Sequence, residues 1–420
     1  MTKPFILAMI AFFFGAVCAS AAEEAVLHLE PLVREALEKN PKISSARERH
    51  LSLKEKIPQA GALEDPMLSV GVVSLPESFD FGEEDMTMKE ISVSQKFPFP
   101  GKRGLSADAA AREADAGAAA AEDAANQVVR EVKAAFYDLS HVYRATEVTR
   151  RNKGILEELS RITSTRYALG QGIQEDVIRN QVEISKMVDE LSMLAQQKQA
   201  AAARLNFLLN RPQNGRLGRP AETEFMPGAF SIPGLQEMAA ASSPVLRALK
   251  EEIAARGKGV ELARREYYPD LSVRVAYGQR EDRPDMYTGM VEMNLPIFHK
   301  SRQAPGLAAA NADVRAARAD YENVQNELFY MIADMGSMAE RLERRIVLYR
   351  TGILPQARLQ IDTAMSAYMV NKADFMTLLD SRMQLYRYEL DYHGALTEYE
   401  KSLAALEAVV GETIPREVAK

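Results

Sequence analysis

Apolar positions along the chain follow two periods, one helical and one alternating, and the whole succession occurs twice. From Val128 the spacing is helical through Val132, Phe136, Leu139, Val142, Leu156, Leu159 and Ile162. It resumes through Ile173, Val177, Ile184, Val188, Leu191, Leu205 and Leu208. No proline lies between Gly101 and Arg211, so the pattern predicts helices over 101–169 and 173–209. At about 1.5 Å per residue the first would be roughly 100 Å long. The break falls at Gly170-Gln171-Gly172, where glycine supplies the backbone freedom for a reversal. In the second half Met331, Met335, Met338, Leu342 and Ile346 precede Asn371-Lys372-Ala373, and Phe375, Leu379, Tyr386, Leu390, Tyr399, Leu403 and Leu406 follow it. Helices over 302–370 and 374–410 are expected there. Pro355 interrupts the longer one, Gly154 is its counterpart, and a bend at the same level is expected in both.

Four shorter segments, 66–74, 86–97, 269–279 and 286–296, alternate imperfectly with period two. Leu271, Val273, Val275 and Tyr277 face one way; Ser272, Arg274, Ala276 and Gly278 face the other. Ile91, Val93 and Phe97 oppose Glu90, Ser92, Ser94 and Lys96. Tyr287, Val291, Met293 and Leu295 oppose Thr288, Glu292 and Asn294, with Met290 as the exception. Such strands suit a membrane barrel with a wet lumen, or a half-buried sheet on a soluble domain. The acidic loop Glu77 to Asp85 favours the barrel, where it would lie outside. Four strands cannot close a barrel, and lipid does not tolerate an open edge. Several copies would be needed, as a dimer with eight strands or a trimer with twelve. Eight leave an interior filled by side chains, so a duct favours three.

The duplication has an interval of about 200 residues. Pro66-Met67-Leu68-Ser69-Val70 returns as Pro269-Asp270-Leu271-Ser272-Val273, and Asn40-Pro41 as Ser243-Pro244. Lys96-Phe97-Pro98 returns as Asn294-Leu295-Pro296, each followed by basic residues, Lys102 and Arg103, then Lys300 and Arg302. Tyr167-Ala168-Leu169-Gly170 returns as Tyr368-Met369-Val370-Asn371. Each half therefore reads helix, two strands, very long helix, turn, long helix. The organisation is a signal peptide at 1–21, a first repeat at 22–211, a connector at 212–235 and a second repeat at 236–420. Pro212, Pro220, Pro227 and Pro233 mark the connector.

At the amino terminus Lys3 precedes the apolar run Phe5 to Val17 and the small residues Ala19-Ser20-Ala21. That is an export signal with cleavage near Ala21 or Ala22, and Cys18 offers lipidation as the alternative. No later stretch is apolar enough to span a bilayer as a helix. Composition excludes more than it suggests. Fifty-two Lys and Arg against 59 Asp and Glu, with a net charge of −7 and no basic block, argue against a nucleic-acid partner. With one Cys and five scattered His, no thiolate or zincin-type metal site can be assembled. No phosphate-binding loop, dinucleotide fingerprint or nucleophile elbow occurs, so neither an enzyme nor a cofactor is expected. Residues 107–125 are alanine-rich, which suits either close helix approach or plain helix propensity.

Taken together, the pattern resembles the TolC-type outer-membrane efflux family along essentially the whole mature chain. The resemblance rests on the duplicated layout, on Asp65-Pro66-Met67-Leu68, on Gln95-Lys96-Phe97-Pro98-Phe99-Pro100-Gly101-Lys102-Arg103, and on the paired Tyr-x-x-Gly/Asn turns. It implies a mainly α fold with a transmembrane β-barrel. Three identical chains would build a twelve-stranded outer-membrane barrel, set in lipid, above a long periplasmic α-helical tunnel. It also implies docking, through a periplasmic adaptor (membrane fusion) protein, on an inner-membrane resistance-nodulation-division pump.

By the same resemblance, the turns form the tunnel's periplasmic tip and closing aperture. The first tip carries Tyr167, Gly170, Gly172, Glu175 and Asp176; the second carries Tyr368, Asn371, Lys372, Asp374 and Asp380. Glu175, Asp176 and Asp380 occupy positions where the family often rings the entrance with carboxylates, which would attract cations and repel anions. Acidic residues at a helix start also simply complement the helix dipole. Thr377 and Ala373 depart from the pattern, and without a basic residue at 373 the link between repeats is expected to be weaker or to use Lys372. Met86-Thr87-Met88-Lys89 and the Phe-Pro-Phe-Pro-Gly-Lys-Arg run are most similar to the heavy-metal branch, serving copper/silver or cobalt–zinc–cadmium pumps. The 19 Met suit Cu(I), yet Met331, Met335 and Met338 have packing spacing. The expected function is a passive export duct for heavy-metal cations. The alternatives are a drug or peptide/protein duct of the same fold, and a soluble periplasmic coiled-coil interaction protein.

Overall fold

The computed structural model describes residues 26–416. The signal peptide at 1–21, with Cys18, lies outside the described residues. Two helices, not one, precede the strands in each half: α1 (Leu29–Lys39) and α2 (Pro41–Gly61), then α5 (Ile232–Ser242) and α6 (Pro244–Arg265). The cause is the Asn-Pro and Ser-Pro steps. Proline pushes the residue before it out of the helical region, and Asn40 and Ser243 have ψ of 125° and 121°. Proline then starts the next helix without wasting a donor. The Asn40 side chain accepts from the Lys42 amide at 2.9 Å and donates to the Leu208 carbonyl at 2.8 Å. The expected connector ends earlier than 235, because Ser231 caps α5 and Pro233 sits in its first turn.

The four strands are β1 (Met67–Val73), β2 (Met88–Phe97), β3 (Leu271–Gln279) and β4 (Met286–Met293). They form one antiparallel sheet in the order β1-β2-β3-β4. They are somewhat shorter than the alternation suggested. Ser74 turns away with φ of 53°, and Pro296 has no amide with which to extend the last ladder. The register places Leu68 and Val70 opposite Val93 and Ile91, these opposite Val275 and Tyr277, and Tyr277 opposite Tyr287. One face is therefore apolar across every strand, and it is bare: Val70 is 74% exposed and Tyr287 81%. The other face carries Ser69, Ser92, Ser94, Ser272 and Thr288, with an ion pair between Arg274 and Glu90. Burying each large apolar side chain is worth about 1.5–3 kcal/mol, so this face has a strong drive to be covered. Among the described residues both outer strands, β1 and β4, keep free edges.

Below the sheet run the long helices. α3 (Lys102–Ala168) is continuous over 67 residues, passing Gly154 without a break. Its partner in the second half is divided into α7 (Gln303–Leu348), a π-helical turn at Tyr349–Ile353, and α8 (Leu354–Met369). The α-helical ladder is thus interrupted in the second half only. Gly154 keeps its amide in the helical ladder, whereas Pro355 lacks one and its ring would clash a turn back, so the helix widens there. α4 (Gln174–Leu208) and α9 (Phe375–Val410) return toward the sheet.

α3 lies between α2 and α6, and there the small residues have a packing role. Ala110, Ala114 and Ala119 are buried. A methyl group on Gly117 would meet Leu53 Cδ1 at 2.6 Å. Further down, each half has its own core. Val128, Val132, Phe136 and Leu139 pack on Leu205 and Leu208 in the first; Ile332, Leu342 and Ile346 pack on Tyr399, Leu403 and Leu406 in the second. The Tyr399 hydroxyl accepts from the Gly228 amide at 2.8 Å, which pins the connector. Near the reversals a third cluster draws on both halves, joining Leu156, Leu159 and Ile184 to Tyr368, Phe375 and Leu379.

Candidate functional site at the helical tip

Both reversals use the same backbone device. In the first, Gly170 has φ of 71°, its amide donates to the Tyr167 carbonyl at 3.0 Å, and the Gln171 amide reaches the Arg166 carbonyl at 2.8 Å. In the second, Asn371 has φ of 59°, its amide donates to the Tyr368 carbonyl at 3.1 Å, and the Lys372 amide reaches Ala367 at 2.8 Å. A left-handed residue closes each helix and satisfies its last carbonyls. Asn is among the few side-chain-bearing residues that take this conformation readily. Gly172 sits close under the first turn: a methyl group there would be 3.4 Å from the Tyr167 amide nitrogen.

The side chains then break the symmetry. Tyr368 is buried and packs on Phe375, with ring centroids 5.9 Å apart. Tyr167, its counterpart, is 48% exposed. Asp374 caps α9 by accepting from the Thr377 amide at 2.8 Å, while Ile173, at the matching place before α4, offers no side-chain cap. Arg166, which the sequence reading did not single out, joins the two tips. Its guanidinium donates to the Tyr368 carbonyl at 3.0 Å and to the Asn371 side-chain oxygen, and lies 4.6 Å from the Tyr368 ring centroid. Lys372, the expected link, has an exposed side chain without a partner among the described residues. Only position made Arg166 findable: a cation in the last turn of a long helix, where it favours the helix C-terminus, matched by Ala367 in the other half.

Three carboxylates come together. Burial raises the Asp176 carboxyl above the usual aspartate range, and the nearby Glu175 and Asp374 charges add to that, against Arg166 and Arg179. The Thr377 hydroxyl and amide hold Asp374 below its ordinary value. Glu175 pairs with Arg179 at 3.1 Å. Asp380 stands in the second turn of α9, exposed and without a side-chain partner among the described residues. Glu175, Asp176 and Asp374 thus stand among the cations Arg166 and Arg179. Among the described residues no cluster of three or more His, Cys, Asp and Glu could hold a metal ion. Met335 packs against the core around Tyr399, as its helical spacing suggested, whereas Met338 is 40% exposed.

A family model described as outer membrane efflux protein matches residues 32–211 and 235–412, one block for each half. The cobalt-zinc-cadmium resistance protein CzcC of Cupriavidus metallidurans is 21% identical over 378 residues, covering 88% of each chain. The fold is shared with CusC, a transmembrane channel former, at a TM-score of 0.80, 14% identity and 93% coverage of both chains. It is shared also with the outer membrane protein VceC of Vibrio cholerae, at a TM-score of 0.77 and 18% identity, covering 92% of this chain and 96% of that one.

Proposed function

Because this chain belongs to the outer membrane efflux protein family, we propose that it is the outer-membrane duct of a tripartite export system and that its cargo is heavy-metal cations. It is a channel protein and not an enzyme. The alternative of a soluble periplasmic coiled-coil protein gives way to the family match. The observation that carries the duct reading is the sheet, bare and mainly apolar on one face across all four strands, while the other gathers Ser69, Ser92, Ser94, Ser272, Thr288 and the Arg274–Glu90 pair among a few methionines. Lipid covers the first face and a water-filled lumen meets the second. The 67-residue α3, roughly 100 Å long, then carries the lumen through the periplasm. Three copies close the barrel, and a periplasmic adaptor and an inner-membrane resistance-nodulation-division pump deliver the cargo.

The duct works passively. Glu175, Asp176, Asp374 and Asp380, repeated by the assembly, give the entrance a negative potential that concentrates cations and repels anions. Tyr167, Gly170, Gly172, Tyr368, Asn371 and Lys372 shape the turns that carry these groups. Heavy-metal cargo is favoured by the sign of this potential and by the name of the CzcC relative. Deletion of the gene tests it: tolerance to cobalt, zinc, cadmium, copper or silver should fall. Unchanged metal tolerance with lost drug or dye tolerance would overturn the metal reading and leave the duct.

A further inference from the structure

We infer that neighbouring copies of this chain are latched, where sheet gives way to helices, by Lys300 and Arg302 of one copy against Glu64 and Asp65 of the next. The inference rests on the assembly reading above and adds the residues that join the copies.

The template lies inside the chain. Where β2 passes into α3, Lys102 is 5% exposed, and its ammonium is 2.9 Å from Asp270 and 3.2 Å from Glu266 at the end of α6 and the start of β3. Asp270 also accepts from the Phe99 amide at 2.8 Å, and the Phe99 ring stacks on Tyr268 at 4.5 Å. A cation just after one strand and an acid just before the next thus fasten the two halves together.

The repeat carries this joint to the outer edges. Aligning Lys96-Phe97-Pro98 with Asn294-Leu295-Pro296 sets Lys300 at the place of Lys102, with Arg302 just beyond. Aligning Pro269-Asp270-Leu271 with Pro66-Met67-Leu68 sets Met67 at the place of Asp270, with Glu64 and Asp65 immediately upstream. Within one chain the two groups cannot meet, because β1 and β4 are opposite edges of the sheet, about 14 Å apart at ~4.8 Å per strand. Between copies they can. β4 beside the next copy's β1 is antiparallel like β2 beside β3, and it keeps Val291 and Met293 on the same apolar face as Val70 and Val72.

The edges are also what a missing neighbour would leave. Lys300, Arg302 and Asp65 are exposed with no side-chain partner among the described residues, and Glu64 has only Lys96, itself exposed, at 3.4 Å. Ile297 and Phe298 are 68% and 73% exposed, whereas Phe99 is partly covered. The open seam continues down the helices. α3, flanked on both sides, buries Ala110, Ala114 and Ala119; α7 buries nothing before Leu328, and α2 buries only Ile43. The charges on the two edges are opposite and the apolar surfaces match, so the occupant is a second copy of the chain.

The test uses the full-length protein extracted in detergent, coupled with a zero-length carbodiimide and mapped by peptide mass. Lys300 is expected to be joined to Glu64 or Asp65 of another chain, and the link to vanish in Lys300→Ala. In parallel, Glu64→Lys with Asp65→Lys should lower several-fold the fraction surviving mild heating as an oligomer, and adding Lys300→Glu with Arg302→Glu should restore it. An oligomer that forms while Lys300 links elsewhere, or that the reciprocal reversal does not rescue, overturns the latch and leaves the duct standing. Recovery of a water-soluble monomer overturns both.

Discussion

The two tips are built on the same turn and end in opposite conditions. The second is fastened: Tyr368 and Phe375 are buried, Asp374 caps α9, and Arg166 reaches across to hold the Tyr368 carbonyl and the Asn371 side chain. The first is barer, with Tyr167, Ile173, Ile178 and Val182 all exposed and α4 uncapped by any side chain; Leu169 and its counterpart Val370 are exposed alike. Identical backbone geometry therefore does not set local stability; the side chains gathered around it do. One tip spends its polar groups inside the chain, and the other leaves an apolar stripe and two carboxylates to whatever lies beyond it.

Removing the fastening should break the contrast most. Arg166→Ala takes away charge-assisted hydrogen bonds worth about 1.5–3 kcal/mol, and hydrogen exchange in 367–380 should accelerate by roughly tenfold or more. Equal exchange before and after would mean that the tie carries no energy. The caps come next. Asp374→Ala should cost about 1 kcal/mol of local stability at α9, and Ile173→Asp should add a similar amount at α4, drawing the tips toward each other in the same exchange measurement.

Smaller effects follow from charge. Asp176→Asn with Asp380→Asn should lower cation preference in planar-bilayer conductance, leaving the fold intact; unchanged selectivity would make these carboxylates ordinary helix residues. The smallest effect is pH-dependent. The Asp176 carboxyl is raised above its unfolded value, chiefly by burial, so the folded tip binds that proton more tightly. Its contribution is complete below the unfolded pKa and is lost as pH rises through the higher folded one. Above that range Asp176 ionises beside Glu175 and Asp374, and the first tip should loosen slightly, a dependence that Asp176→Asn should abolish.

Much of this was legible in the chain because it is periodic. Leu271, Val273, Val275 and Tyr277 alternate, and the register sets them on one face with Ile91 and Val93. Tyr-x-x-Gly and Tyr-x-x-Asn announced both reversals, since few residues take a positive φ. What stayed hidden depends on partners far away in sequence. Arg166 meets Tyr368 and Asn371, and Lys102 meets Asp270, across well over a hundred residues, and no local pattern encodes such pairs. Pro355 signalled a disturbance, but not that the helix would absorb it as a π turn while α3 ran on through Gly154. Asn40-Pro41 was visible as a repeat mark, yet its meaning as a helix break needed the backbone angles.

The sheet with two free edges is the feature on which the duct depends, and the mass of the detergent-extracted particle, measured by light scattering with the detergent contribution removed, tests it most directly. A particle of three mature chains, requiring detergent for release from the outer membrane, is the expected result. A single chain released into buffer by osmotic shock would contradict it.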